Sequence, residues 1–379
     1  MKRLGLIVNP YAGMGGSVGL KGTDGVIDEA WRRGARQGAP ARAVRALRSL
    51  RSTAPDIEVL TCAGQMGQDE AQAAGLTVTV VRPVADQSTA DDTRHAAAEF
   101  VDQGIDLLLF VGGDGTATDI QAAVGDHIPV VGVPGGVKMH SGVFAHTPEA
   151  AGILSGHFLT GQVADLAERE VMDVDEVQLR AGILAPRLLG YLNVPDAGIL
   201  VQHPKRRGTS DRQARREIGA AVLEHLPPGA LVAVGPGTTA GAVMETHGLA
   251  HTLLGFDLIR DGHLVAADVT ETDLLRHVDN LHVIVAPTGG QGALLGRGNQ
   301  QLTPAVLRRL DPERLIVVAT RDRLAALAGR PLLIDLDDPD LAATLTGIRR
   351  ILVAPGRTVA YPVASTPEQP KQLCANAAE

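Results

Sequence analysis

Aromatic residues are scarce in this chain: Phe, Trp and Tyr make up 2% of its 379 positions. Few platforms exist on which nucleobases could stack. Basic charge is also short. The 35 lysines and arginines are outnumbered by 43 acidic side chains, which leaves a net charge of -8. The electrostatic footprint of a nucleic-acid binder is therefore missing. Cysteine is nearly absent, and Cys62 and Cys374 lie far apart with no metal-ligand spacing. That pattern excludes a disulfide framework and suits a reducing compartment. No apolar run is long enough to cross a bilayer. The run at residues 4–8 is broken by Asn9-Pro10 too soon for a signal peptide. The expectation is a soluble, cytoplasmic protein with neither nucleic acid nor membrane as partner. Two catalytic signatures are missing as well: G-x-x-x-x-G-K-[ST] and H-E-x-x-H.

Glycine, in contrast, is abundant, with 44 residues gathered largely into turns that follow apolar runs. The length suits two domains. An apolar share of 45% and a charged share of 21% are those of a globular protein. Residues 1–150 alternate between two patterns. Runs at 4–8, 76–81, 105–111 and 129–133 read as buried strands, and 41–51, 91–103 and 116–124 carry helical spacing. This order predicts an open parallel α/β sheet that binds ligands at the carboxyl ends of its strands. Residues 151–350 read as a second, mixed and β-rich domain. It has antiparallel strands over 170–180 and 182–194, a helix over 212–226, and strands at 231–234, 282–286, 315–319 and 331–334. Residues 351–379 form a C-terminal segment that returns to the first domain or, past Pro362, frays as a polar tail.

An acidic chain that binds phosphate must do so locally, through backbone N–H groups, a few cations or a metal. Gly112-Gly113-Asp114-Gly115-Thr116 has the right context, because a buried strand precedes it and a helical pattern follows. Its glycines allow close approach, and successive N–H groups backed by a helix N-terminus can face an anion. Asp114 beside a phosphate needs a task, either holding Mg²⁺ or accepting a proton from an attacking hydroxyl. The plain alternative is an Asp-Gly turn.

Four other segments share this character. Asn9-Pro10-Tyr11-Ala12-Gly13-Met14-Gly15-Gly16 follows the first strand but misses the dinucleotide spacing G-x-G-x-x-G. Just beyond it, Lys21 could pair with phosphate and Asp24 could hold a metal or a ribose, or both could simply be solvated. Pro134-Gly135-Gly136-Val137-Lys138-Met139-His140-Ser141 offers Lys138, one of only five lysines, as a phosphate ligand, with His140 the weaker candidate. Gly235-Pro236-Gly237-Thr238-Thr239 places hydroxyls on a turn suited to phosphate or ribose, or to nothing more than a β-turn. Finally, Gly289-Gly290-Gln291-Gly292 and Gly296-Arg297-Gly298-Asn299-Gln300 set Gln291, Arg297, Asn299 and Gln300 where they could read the edge of a substrate.

Together the Asn9-Pro10 strand end, the 112–116 motif and the 235–239 turn resemble the ATP-NAD kinase family. Gly-Gly-Asp-Gly-Thr is shared more widely, with diacylglycerol, sphingosine and, in variant form, phosphofructokinases. Val137-Lys138-Met139-His140-Ser141 and the two later glycine clusters are similar to the AcoX-like branch. The resemblance runs from residue 4 to about residue 360. It implies an N-terminal α/β domain, a second β-rich domain, and a site between them. It implies that Asp114 is the base on the acceptor hydroxyl. Asn9, Gly112, Gly113, Gly115, Thr116, Lys138, Ser141, Gly235, Gly237, Thr238 and Thr239 would line the nucleotide cleft. ATP and Mg²⁺ would be used, with NAD as substrate, and the protein would be a homo-oligomer, a dimer being the simplest. NAD kinases also carry an Asn-acid pair in the second domain, whereas Asn193-Val194 has the amide without the acid. That departure motivates a second reading, a nucleotide-binding protein without catalysis. A nicotinamide-dependent oxidoreductase is a third, motivated by the near-fingerprint at 13–19.

Overall fold

The apolar runs of the first part become β1 (Arg3–Val8), β2 (Glu58–Cys62), β3 (Val78–Arg82), β4 (Leu107–Gly112) and β5 (Val130–Pro134). The computed structural model that shows this describes residues 2–20, 25–84, 87–136, 139–174, 186–197, 211–224, 226–288 and 292–365. All five strands run parallel in the order β3-β2-β1-β4-β5. Every residue of β4 is buried, which is why it reads as an unbroken apolar run. The strand missing from the sequence expectation is β2. It hides a polar residue in its interior, Thr61, whose hydroxyl donates to the Leu6 carbonyl at 3.0 Å.

Helices cover the sheet: α1 (Ile27–Arg32), α2 (Ala39–Thr53), α3 (Gln68–Ala73), α4 (Ala90–Asp102), α5 (Asp114–Val124) and α6 (Pro148–Leu159). The start of α4 is fixed by a capping box between Thr89 and Asp92. On α3, Glu70 is 3% exposed, and burial pushes its carboxyl up to about 7.

The first core continues past residue 150. Helix α6 packs along α2. The antiparallel hairpin of β6 (Leu166–Val174) and β7 (Pro186–Pro195) lies on α5 and β5 and buries Val171, Leu192 and Val194 there. Residues grouped above with the second domain thus pack on the first. Strand alternation shows that one face is buried, not which core it meets.

The second sheet has nine strands in the order β10-β9-β8-β11-β13-β15-β16-β14-β12. These are β8 (Leu231–Val234), β9 (Phe256–Arg260), β10 (His263–Val269), β11 (Leu281–Val285), β12 (Ala293–Leu295), β13 (Leu315–Val318), β14 (Leu332–Ile334), β15 (Gly347–Ala354) and β16 (Arg357–Ala364). Strands β8, β11, β13 and β15 are parallel neighbours, while β9, β10 and β16 add antiparallel pairings. Along β8, Leu231 and Ala233 face one core and Val232 and Val234 the other. The second of these cores includes α7 (Asp211–Glu224) and α8 (Thr238–Glu245). The sheet curls back on itself, since Thr288 N, just past β11, donates to Ala293 O of β12 at 2.8 Å. Residues 351–364 belong to this sheet and do not return to the first; Pro362 sits inside β16. Among the described residues no helix is long and apolar enough to cross a membrane.

Candidate functional site

The carboxyl ends of β1 and β4 lie side by side at the centre of the first sheet. From β1 the chain moves toward β2, and from β4 toward β5, so the two turns diverge and open a crevice at a topological switch point. Asn9 leaves β1 with its N–H on Val111 O at 3.0 Å. Its side chain then ties both turns: Oδ1 accepts from Tyr11 N at 3.1 Å, and Nδ2 donates to Thr116 Oγ1 at 3.1 Å. Gly113 caps α5, and Asp114 is the first residue of that helix. The third turn joins in through Gly135 N, which donates to Gly112 O at 2.8 Å.

Packing among the three turns leaves no room for side chains. A Cβ on Gly112 would stand 2.4 Å from Thr116, and one on Gly13, at φ +72°, would stand 2.1 Å from Gly135 O. The backbone of Gly113 is ordinary, with φ -116°, and a Cβ there would stand 3.4 Å from Gly136 Cα, an ordinary contact, so the tight fit lies at Gly112 and Gly13. The N–H groups of the first turn of α5 have no intrahelical partners and face the crevice end of the sheet, where an anion would meet them.

After β5 the chain loops round and comes to lie parallel beside that strand. Gly132 N donates to Val143 O at 3.0 Å, and Ala145 N to Gly132 O at 2.9 Å. This return carries His140 and Ser141 onto Asp114. Oδ2 of Asp114 accepts from His140 N at 2.7 Å, Oδ1 accepts from Ser141 N at 3.0 Å, and the His140 ring Nδ1 lies 3.3 Å from Oδ2. The hydroxyl of Ser141 anchors the loop to β6, accepting from Met172 N at 3.0 Å and donating to Met172 O at 3.3 Å. Side-chain exposure is 11% for Asp114 and 7% for His140. The carboxylate is held in one orientation but retains lone pairs for a ligand hydroxyl.

The described residues contain no group of three His, Cys, Asp or Glu that could hold a metal.

The second wall differs from its sequence expectation. Arg297 does not face a ligand. It is 2% exposed, its Nε donates to Asp335 Oδ2 at 2.9 Å, and its Nη2 donates to the His146 carbonyl of the first domain. Arg42 of α2 donates to the same Asp335 oxygen at 2.7 Å and to Pro134 O at 3.1 Å. Arg45 pairs with Glu149 at 2.7 Å and reaches Leu336 O at 3.2 Å. These residues lock the two domains together. Burial would raise the Asp335 carboxyl, but Arg42, Arg297 and Arg45 outweigh it and hold the group well below the usual carboxylate range. Burial lowers Arg297, which shares its single carboxylate with two other guanidiniums.

Asn299 is a loop staple as well: Oδ1 accepts from Gly296 N at 3.0 Å and Nδ2 donates to Leu294 O at 2.7 Å. Among the described residues of this group Gln300 keeps a cleft position, its amide beside Gly13 and its Oε1 buried without a hydrogen-bond partner. The 235–239 turn ends β8, with Gly235 N on Ile284 O at 2.8 Å and Gly237 N on Leu253 O at 3.0 Å. Thr238 is exposed at the start of α8, while Thr239 is 1% exposed with an unpartnered hydroxyl. Gly115 is exposed on α5 and Thr116 is buried against Asn9. Lys21, Asp24, Lys138, Gly290 and Gln291 lie outside the described residues.

Asn193 is not part of the site. It lies on β7 and donates to Asp126 O at 3.3 Å, past the far end of α5 from Asp114. The 11 residues of α5 span about 16 Å. The missing acid at Val194 therefore says nothing about acceptor binding. Sequence reasoning underrated His140, whose only signal was its place between Lys138 and Ser141, and missed Arg42 and Asp335, which carry no motif.

No curated protein matches this chain significantly. Two family descriptions do: the ATP-NAD kinase N-terminal domain over residues 4–163 and the ATP-NAD kinase C-terminal domain over residues 242–363. The first takes in β1, the Asp114 turn and the His140 return; the second runs from α8 to β16. Between them they span well over half of the chain, in the order the two-domain fold requires, and the protein belongs to the ATP-NAD kinase family.

Proposed function

We propose that this protein transfers the γ-phosphoryl group of ATP to a hydroxyl of a small metabolite, with NAD as the leading acceptor. The observation that carries this reading is Asp114: a carboxylate at the head of a helix, at the switch point, oriented by two backbone N–H groups. Phosphoryl transfer needs positioning and charge neutralisation more than covalent chemistry. The N-terminus of α5 and the nested glycine turns receive the phosphates, and Mg²⁺ arrives with ATP and offsets their charge. Asp114 accepts the proton of the acceptor hydroxyl as that oxygen bonds to the γ-phosphorus and the bond to the β-phosphate oxygen breaks. Lys138 and Ser141 belong to the donor side of this proposal, and Gln300 to the acceptor side. A cytoplasmic homodimer and a place in the AcoX-like branch are further parts of it, supported by the motif pattern alone.

The test is steady-state phosphate transfer from Mg·ATP to NAD by the wild type and by Asp114→Asn. The variant should lose about a thousandfold in kcat, the range of a general base, while ATP still raises its melting temperature. An unchanged kcat removes Asp114 from the chemistry. Stabilisation of the wild type by ATP without transfer to NAD or to any polyol favours the binding-only reading.

A further inference from the structure

The family resemblance assigns a role to Asp114 and none to His140, although the two side chains meet in a nearly closed space. The Asp114 carboxylate can only accept hydrogen bonds, so a ring nitrogen 3.3 Å from Oδ2 must carry the proton if the two are bonded. That fixes His140 as the Nδ1–H tautomer. Its other nitrogen, Nε2, is buried and has no hydrogen-bond partner among the described residues, so none of these competes for the opposite tautomer. The backbone N–H of the same residue donates to the same oxygen at 2.7 Å. His140 therefore grips Oδ2 from two sides, while Ser141 N holds Oδ1 at 3.0 Å. The backbone that carries the ring is held by the parallel pairing of Gly132 with Val143 and Ala145, and by Ser141 on Met172.

We propose that His140 is a positioning residue for phosphoryl transfer: its Nδ1–H fixes the rotation of the Asp114 carboxylate, so that a free lone pair of that group points at the acceptor hydroxyl. The ring acts through Asp114 and takes no proton from substrate. This inference rests on the kinase reading given above.

Two side-chain substitutions separate the arms of the ring. Asparagine can place an amide N–H near the Nδ1 position; glutamine can reach the Nε2 position; alanine supplies neither. Measured on the full chain with Mg·ATP and NAD, His140→Ala should lower kcat about a hundredfold with KM for both substrates within about threefold, the pattern of an interaction made only in the transition state. His140→Asn should recover to within about tenfold of the wild type, and His140→Gln should resemble His140→Ala. Equal losses in the Asn and Ala variants, or recovery with Gln and not with Asn, would overturn the proposal. Because a failed acceptor assignment would silence the kinetics, the tautomer is read separately. Nitrogen-15 spectra of histidine-labelled wild type, assigned by the peak that His140→Gln removes, should show His140 protonated at Nδ1, with that preference lost in Asp114→Ala. An Nε2–H tautomer in the wild type overturns the proposal whether or not the chain phosphorylates NAD.

Discussion

Two aspartates sit at strand ends where the domains meet, and they are held in opposite ways. Asp114 is gripped by neutral donors, the backbone N–H groups of His140 and Ser141, with the His140 ring 3.3 Å from Oδ2, and stays 11% exposed. Asp335, just past β14, is 1% exposed and shared by Arg42, Arg45 and Arg297. Neutral donors orient a carboxylate without saturating its charge, so it can still act on a ligand. Three guanidiniums saturate it, so it can only hold structure. Charge around a buried acid thus separates a site from a fastening.

The comparison is broken most directly at Asp335. Replacing it with asparagine leaves Arg297 buried without a counter-charge and Arg42 with only Asp337, 3.5 Å away, at a cost of about 3–5 kcal/mol. The folded-state acid is lowered, so its stabilisation is present above the unfolded value, about 3.9, and is lost as pH falls through and below that value. Urea unfolding at pH 7 and pH 3 should therefore show a large deficit for Asp335→Asn that shrinks at the lower pH. Equal stability at pH 7 would mean that the arginines do not depend on this carboxylate.

A smaller effect sharpens the other half. Gly13→Ala drives a Cβ into Gly135 O, and thus into the turns around Asp114. Gly104→Ala has a similar left-handed backbone, φ +68°, with nothing within 4 Å. Both substitutions carry about 1 kcal/mol of backbone strain. Only Gly13→Ala should also lower kcat/KM, by about tenfold or more. If the two variants have the same activity, the nesting of turns is irrelevant to the site.

Much of the Asp114 side was legible in the sequence, for local reasons. A strand buried on both faces leaves an unbroken apolar run, and β4 and β8 both announce themselves this way. The glycines that follow mark turns. The Asp335 side was illegible because Arg42 lies 293 residues away from Asp335 and sits in an ordinary amphipathic helix. Glycine density around Arg297 revealed a turn but not what faced it, and a domain interface took the place of the expected ligand. His140 reached Asp114 only through the loop that lets residues 143–145 pair in parallel with Gly132, a pairing that the single-strand pattern of β5 does not encode.

Glu70 supplies the third case, a carboxyl with no cation at all. It is 3% exposed and its Oε2 has no hydrogen-bond partner. Burial raises it to about 7, aided by the neighbouring charge of Asp69 and opposed by the backbone N–H groups of Glu70 and Gly67. A raised acid stabilises the fold below its unfolded value, about 4.5, and that contribution is lost as pH rises through 7. Glu70→Gln keeps the shape and removes the titration. It should gain about 3 kcal/mol over the wild type at pH 8 and almost nothing at pH 4.5, read from urea midpoints. The sign is opposite to that at Asp335, because there cations outweigh burial and here burial acts almost alone. A variant that tracks the wild type across this range would show that Glu70 reaches water or a partner at neutral pH, and the ordering of the three carboxylates by their donors would have to be redrawn.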